Sequence, residues 1–245
     1  MITVEERTVN GIPLIEYKNT DLDVKGLTFM QHGFQSNKIR GGEYMAMNLC
    51  RLGYHVVCID AYKHGDRKEE PYLTGSDFYR LKEAYNVINQ TSLDILELSN
   101  TEFKAYKTFD MIGVSLGGMV AYLLATRTDK INRLIPVIST PDFYKQAYIA
   151  ISAAGLEITK VLKQEELDWM EKIDPAKHMD QMVYKQLGIF ISEDDDVVPA
   201  RPVLKFIKQY DSRIDETHIY QHKHNVPREM QEDILSFIAG KQINL

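Results

Sequence analysis

Two kinds of hydrophobic pattern follow one another along the chain. Residues 2–9 and 12–17 alternate apolar and polar side chains around the dipeptide Asn10-Gly11, which is a strong hairpin signal. After them, apolar residues come in short unbroken runs, and segments with helical periodicity separate these runs. Unbroken runs are typical of strands covered on both faces, and a helix between two such strands connects them in parallel. The pattern therefore predicts an α/β protein with a mixed sheet, antiparallel at its first edge and parallel afterwards.

The same pattern places the individual elements. Further strands are predicted at 27–30, 55–59, 109–113, 134–138, 187–191 and 216–221, and helices at 43–52, 77–98 and 118–128. A last helix is predicted to begin at Pro227 and to end before Gly240, because proline is favoured at a helix start and glycine just past its end.

One segment interrupts this alternation. Between Ser139 and Leu187 the strand pattern lapses for about 45 residues, whereas connections are usually about 2 to 8 residues long. The segment is amphipathic and rich in aromatic residues, so we predict a helical cap inserted at 140–186. Because α/β chains of about 200 to 250 residues commonly fold as one unit, residues 1–245 are predicted to form a single domain.

Composition and charge narrow the possible partners. The 29 basic and 35 acidic residues give a net charge of -6, which argues against binding to nucleic acid. No apolar run reaches the ~18 residues of a membrane span, and the first residues are charged where a signal peptide would be apolar, so a cytoplasmic protein that does not associate with membranes is expected. Cys50 and Cys58 lie among apolar residues without the spacing of a redox pair or zinc site, and we expect both to be reduced.

The most specific local signal is the segment 113–117, which reads Gly-Val-Ser-Leu-Gly between a predicted strand and a predicted helix. In this setting, a sharp turn lifts the hydroxyl of Ser115 clear of the sheet, and the small glycines avoid clashes around it. The same turn makes the backbone N–H of Leu116 available to a developing oxyanion. The segment therefore predicts a nucleophilic serine.

A serine hydroxyl needs a histidine to take its proton and an acid to orient that histidine, and on such a sheet the chain order is serine, acid, histidine. This order excludes the earlier histidines at positions 32, 55, 64 and 178. His218 and His222 lie in or at the end of the last predicted strand, whereas His224 lies in the loop before the last helix. We predict His224 as the base, with His222 as the alternative.

The acid is expected among four adjacent carboxylates, Glu193, Asp194, Asp195 and Asp196, which follow the strand predicted at 187–191. Like charges so close repel one another, so most of them must be solvated and one partners the histidine. Spacing alone does not choose between them.

Five landmarks together resemble a known family. They are Gln-His-Gly-Phe at 31–34, Asp-Ala-Tyr-Lys-His-Gly-Asp-Arg at 60–67, the serine turn, Asp-Asp-Asp-Val-Val-Pro at 194–199, and His224 before the last helix. The chain resembles small bacterial serine esterases of the α/β-hydrolase superfamily, near the dienelactone hydrolase and prolyl oligopeptidase branch. One departure is Ile191-Ser192, where such relatives often have His-Gly.

The resemblance implies roles for individual residues. The family's D-x-x-V-P segment matches Asp195 with Val198 and Pro199, which selects Asp195 as the acid. The residue after the His-Gly pair usually supplies the second oxyanion N–H, which here is the backbone of Phe34. The loop with His64, Gly65 and Arg67 is mostly structural in the family.

The expected function is hydrolysis of carboxylic esters with small to medium acyl groups, through an acyl-enzyme on Ser115, with a small-molecule substrate and with neither metal nor cofactor. The same triad serves peptidases, lactonases and thioesterases, and a non-catalytic binding module on this fold is a further alternative. A metal site at His222 and His224 beside the acidic loop is a weaker hypothesis, and no nucleotide-binding motif occurs in the sequence. The sequence makes no prediction of oligomeric state.

Overall fold

The structure of the chain is a computed structural model that describes residues 1–40 and 42–243. Within them the strands are β1 (Ile2–Val9), β2 (Ile12–Asn19), β3 (Gly26–Gln31), β4 (Tyr54–Ile59), β5 (Phe109–Val114), β6 (Ile131–Val137), β7 (Gln186–Ser192) and β8 (Glu216–Tyr220). The helices are α1 (Glu43–Arg51), α2 (Glu70–Thr74), α3 (Asp77–Asn100), α4 (Leu116–Ala125), α5 (Phe143–Ala153), α6 (Ile158–Val161), α7 (Gln164–Ile173), α8 (Ala200–Gln209) and α9 (Arg228–Ala239).

All of these strands join one sheet in the order β1-β2-β4-β3-β5-β6-β7-β8. β2 runs antiparallel to both β1 and β4, and every other neighbouring pair is parallel. The predicted mixed α/β sheet is confirmed. Because the parallel strands all end at the same edge of the sheet, the loops that follow β3, β5, β7 and β8 lie at that edge.

Side chains from alternate strand positions bury themselves on opposite faces of the sheet. In β3, Phe29 packs into the core under α3, α4 and α8, whereas its neighbour Met30 packs into the core under α1 and α9. A strand buried on both faces needs apolar residues at consecutive positions. This explains the unbroken apolar runs of the sequence.

The segment between β6 and β7 holds α5, α6 and α7, followed by short 3-10 turns at Pro175–Lys177 and Met179–Gln181. Phe143, Ile151 and Met170 from this segment are buried in the same core as α3 and α4. The insertion is therefore packed onto the body of the fold.

Some details differ from the sequence-based prediction. α4 begins at Leu116, directly after the serine, instead of at residue 118, and it ends at Ala125. α8 was not predicted, although Val203 and Phe206 are buried on one of its faces at helical spacing. Its sequence also carries Pro202 in the first turn, a position that tolerates proline.

A buried carboxylate holds the antiparallel edge of the sheet together. Glu16 on β2 accepts hydrogen bonds from Arg7 Nε at 2.5 Å and from His55 Nε2 at 2.7 Å, and Lys18 Nζ lies 3.1 Å away. Tyr106 donates its hydroxyl to the other ring nitrogen of His55 at 3.0 Å. Burial alone would raise the pKa of Glu16, but these partners lower it to about 2.

A pKa below the unfolded value of 4.5 makes Glu16 stabilising at neutral pH. Glu16→Gln should lower the free energy of unfolding by roughly 2 to 3 kcal/mol near neutral pH, and this deficit should shrink as the pH falls from about 4.5 towards 2. Urea denaturation at a series of pH values measures it. Glu5→Gln is the matched control, because Glu5 lies opposite Glu16 on β1 and is exposed. A deficit that does not change with pH would contradict this account.

Candidate active site

Ser115 occupies a strained turn between β5 and α4. Its φ of 55° and ψ of -115° lie in a region that residues with a side chain rarely adopt. The turn is held from several sides, since the Ser115 N–H donates to the Val137 carbonyl at 2.9 Å and the Ser115 carbonyl accepts from Ser139 Oγ at 2.8 Å. The surrounding structure therefore fixes the serine in one orientation.

Two glycines make this turn possible. A Cβ on Gly117 would lie 2.2 Å from the Gln31 carbonyl oxygen, and one on Gly113 would lie 2.0 Å from the carbonyl oxygen of Gly117. Any side chain would push the start of α4 away from β3 and β5. Close backbone packing thus explains the glycine on either side of the Val-Ser-Leu triplet.

The three predicted side chains meet in one hydrogen-bonded chain. The Ser115 hydroxyl donates to His224 Nε2 at 2.8 Å, and His224 Nδ1 donates to Asp195 Oδ2 at 2.7 Å. Because the carboxylate only accepts, the imidazole proton sits on Nδ1, which leaves the lone pair of Nε2 facing the serine. This geometry allows His224 to take the proton of Ser115.

The loop after β7 buries one of its four acidic residues and leaves the other three exposed. The Asp195 side chain is 1% exposed, and its Oδ1 accepts from the N–H groups of Val197 and Val198 at 2.8 Å each. Asp194 and Asp196 are exposed instead. Glu193 is also exposed and accepts from Gln221. Of the four carboxylates, the structure brings Asp195 to the imidazole.

The other late histidines lie elsewhere. His222 is paired with Glu229 at 2.8 Å on the surface, and His218 stacks on the ring of Phe190. Neither of them contacts the serine hydroxyl.

The loop after β3 lies directly against the serine. A Cβ on Gly33 would be 3.3 Å from the Ser115 Cβ, so the segment that carries Phe34 passes beside the hydroxyl. Leu116 is the first residue of α4, and its N–H has no acceptor within its own helix. Among the described residues, no hydrogen-bond acceptor occurs for the N–H of Phe34 or of Leu116. Both groups can donate to a bound oxygen.

His32 was excluded as a base on chain order, but the structure shows a supporting contact. Its Nε2 accepts from the Ala61 N–H at 3.0 Å, so its Nδ1 carries the proton and donates to the Gly33 carbonyl at 2.7 Å. Burial lowers the pKa of His32 to about 4, which keeps the ring neutral. The position of His32 just before Gly33, at the end of a strand, is the signal that could have identified this role.

The loop after β4 is hydrogen-bonded to the loop after β3. Asp60 is fully buried and accepts from the Lys38 backbone N–H at 2.9 Å, from Lys38 Nζ at 3.0 Å and from the Asp66 N–H at 2.9 Å. A Cβ on Gly65 would lie 2.0 Å from the Asp60 carboxylate. Asp60 therefore fixes the loop after β3 to the loop after β4.

Two cavities flank Ser115. The first, of about 560 Å³, lies between α3 and α5, and Tyr85, Ile88, Met119 and Ile151 are among the residues that line it. We name it the α3–α5 cavity. The second, of about 640 Å³, has His224 in its wall, and we name it the His224 cavity.

Helix α5 also contacts the loop of the acid. The Gln146 amide donates to the Val197 carbonyl at 2.8 Å, beside the N–H groups that hold Asp195. The insertion thus lines a cavity and also contacts the loop that carries Asp195.

Comparisons with known proteins identify the fold. No protein-family model matches the chain, and no match to a curated protein was found. Among solved structures, TT1662 from Thermus thermophilus matches with a TM-score of 0.80 at 17% identity, covering 98% of each chain. The chain has the α/β-hydrolase fold. The resemblance inferred from the sequence motifs is therefore confirmed at the level of the fold.

Two esterases share this α/β-hydrolase fold. The Pyrococcus furiosus esterase Pf2001 matches with a TM-score of 0.65 at 15% identity, over 99% of this chain and 94% of the other. Acetyl xylan esterase 1 from Thermoanaerobacterium sp. matches with a TM-score of 0.70 at 17% identity, over 98% of this chain and 87% of the other.

Metal-binding clusters and membrane-spanning helices are both absent from the part of the chain that the structure describes. Across residues 1–40 and 42–243, no cluster of three or more His, Cys, Asp or Glu side chains is arranged to hold a metal ion. In the same part of the chain, no helix is both long and apolar enough to cross a membrane.

The geometry of this candidate site predicts a spectroscopic signal. A proton shared between His224 Nδ1 and a buried carboxylate should resonate far downfield in the ¹H NMR spectrum, because the charged acceptor deshields it. Asp195→Asn should abolish this resonance, whereas the matched changes Asp194→Asn and Asp196→Asn should retain it. Loss of the resonance in either control, or its persistence in Asp195→Asn, would contradict the placement of the acid.

Proposed function

We propose that the protein is a serine hydrolase that cleaves carboxylic esters with small to medium acyl groups. The observation that carries the proposal is the hydrogen-bonded chain from Ser115 through His224 to Asp195, with heavy-atom distances of 2.8 and 2.7 Å. A serine in such a chain is converted into a nucleophile at neutral pH. Proteins with the same fold include two named as esterases and an acylaminoacyl peptidase from Pyrococcus horikoshii, and these names support a hydrolase.

The first half of the reaction forms an acyl-enzyme. Ser115 Oγ attacks the ester carbonyl carbon while His224 Nε2 takes its proton, and Asp195 stabilises the resulting imidazolium. The carbonyl oxygen becomes an oxyanion that accepts hydrogen bonds from the N–H groups of Phe34 and Leu116. Each such donor is typically worth about 3 kcal/mol of transition-state stabilisation. The intermediate then expels the alcohol, which receives the proton from His224.

The second half releases the acid. A water molecule attacks the acyl carbon of the ester on Ser115, and His224 takes a proton from it. The second tetrahedral intermediate expels Ser115 Oγ, which regains its proton from His224, and the carboxylic acid leaves. The cycle returns every group to its starting state and uses no cofactor.

The α3–α5 cavity supports the proposed acyl preference. Its wall is mainly apolar, and its volume of about 560 Å³ lies within the range of sites for small ligands. Helix α5, from the predicted cap insertion at 140–186, supplies one side through Ala147 and Ile151. Helix α5 therefore bounds the cavity in which the acyl chain is proposed to lie.

A panel of p-nitrophenyl acyl esters tests the proposal. Ser115→Ala should reduce turnover by a factor of about 10³ or more, because the nucleophile is lost while binding remains. Its melting temperature, measured beside that of the wild type, shows that the fold survives. The wild type should prefer short and medium acyl chains. Turnover retained in Ser115→Ala would rule out the proposed mechanism, and a preference for long chains would rule out the proposed acyl range.

A further inference from the structure

The two cavities meet at the nucleophile and share few residues. Phe34, Ser115 and Val197 line both of them. Phe34 and Val197 are exposed apolar side chains at 38% and 49% relative exposure. They therefore stand at the boundary between the two cavities, beside the serine. A substrate centred on Ser115 extends one part of itself into each cavity.

The position of His224 distinguishes the cavity for the alcohol part of the substrate from the cavity for the acyl part. This assignment rests on the proposed function. His224 lines the second cavity and not the α3–α5 cavity. The imidazole that takes the serine proton must later deliver it to the leaving oxygen, so the leaving group departs on the side of the imidazole. The alcohol part thus belongs in the His224 cavity, and the acyl part in the α3–α5 cavity.

The charged side chains of the two cavities differ in their partners. In the α3–α5 cavity, Asp77 and Arg80 form an ion pair with each other. In the His224 cavity, Arg40 and Glu43 are exposed, and within the described residues neither side chain has a hydrogen bond or an ion pair. The His224 cavity therefore presents a free donor and a free acceptor to the leaving group.

Two smaller polar side chains of the His224 cavity also lack hydrogen-bond partners among the described residues. Ser36 and Asn225 also line the His224 cavity, and no hydrogen bond of either side chain occurs in the part of the chain that the structure describes. An alkyl leaving group that removed water from these polar groups would not replace the hydrogen bonds of that water, which is unfavourable. An anionic group would be attracted by Arg40 but repelled by Glu43, and a cationic group would meet the reverse, so the two side chains together favour neither charge.

We infer that the leaving group of the natural substrate is an uncharged alcohol with several hydroxyl groups, of the glycerol or sugar class, bound by Arg40 and Glu43. A hydroxyl group can accept from the guanidinium and donate to the carboxylate, so neighbouring hydroxyls satisfy both charges at once. The apolar acyl part is then buried on the other side of Ser115.

Paired esters with one acyl group test the alcohol side. We compare kcat/KM for glycerol monobutyrate and for propyl butyrate, which differ in two hydroxyl groups. The wild type should favour the glycerol ester by about tenfold or more, and Arg40→Met and Glu43→Gln should each reduce this ratio severalfold, since each removes one partner of the hydroxyls. Arg201→Met is the matched control, because Arg201 is exposed on α8 and does not line either cavity.

A variant of the acyl side tests the orientation. Ala150 lines the α3–α5 cavity, so Ala150→Phe should reduce activity on longer acyl chains and leave the preference for glycerol over propyl esters in place. A change in the alcohol preference instead, with acyl preference kept, would reverse the assignment of the two cavities.

The outcomes separate this inference from the proposed function. If the wild type hydrolyses both butyrates at similar rates, or if Arg40→Met and Glu43→Gln leave the ratio as Arg201→Met does, the inference is wrong and the esterase assignment stands. If the wild type hydrolyses no ester, both are wrong. Melting temperatures of the variants confirm that each compared protein is folded.

Discussion

The hydrogen bond between Ser115 and His224 joins residues 109 positions apart, and the bond from His224 to Asp195 spans 29 positions. Their meeting depends on the parallel part of the sheet. The strands β5, β7 and β8 point the same way, so the loops that follow them share one edge. Each loop then has its own means of holding its side chain. Without this common edge, the serine, the histidine and the aspartate would not be within hydrogen-bond distance of one another.

The shared edge brings the three loops near one another, and local constraints in each loop then bring the side chains to hydrogen-bond distance. The left-handed backbone at Ser115 is tolerated because Gly113 and Gly117 let α4 approach the sheet. Asp195 is oriented by two backbone N–H groups, which leaves Oδ2 for the imidazole. On the opposite side, neutral His32 fixes the carbonyl of Gly33 beside the serine. Strain at one residue is thus offset by hydrogen bonds and close packing around it.

Much of the fold was predictable because strands that are buried on both faces require unbroken apolar runs in the sequence. Other local patterns predicted the hairpin at Asn10-Gly11 and the turn at Ser115, and together with the apolar runs they predicted the mixed sheet. Chain order was enough to favour His224 over the earlier histidines. The start of α4 at Leu116 was not predicted, because the glycines after Leu116 are typical of a turn but lie inside the helix.

Other features depend on contacts between distant segments, and local patterns do not show them. The residues alone left four adjacent carboxylates open, because the choice depends on how the loop after β7 folds back on Val197 and Val198. The role of His32 depends on Ala61, which is far along the chain. The two cavities have no sequence signature either, as α3, α5 and α1 supply their walls from separate segments.

The central claim is that His224 and Asp195 activate the hydroxyl of Ser115. The most direct measurement is covalent labelling with a fluorophosphonate, followed by peptide mapping, because this reagent needs an activated serine. The account predicts a single adduct on Ser115, formed much more slowly in a folded Asp195→Asn variant. The absence of an adduct on the folded wild type, or an adduct on another serine, would contradict the account.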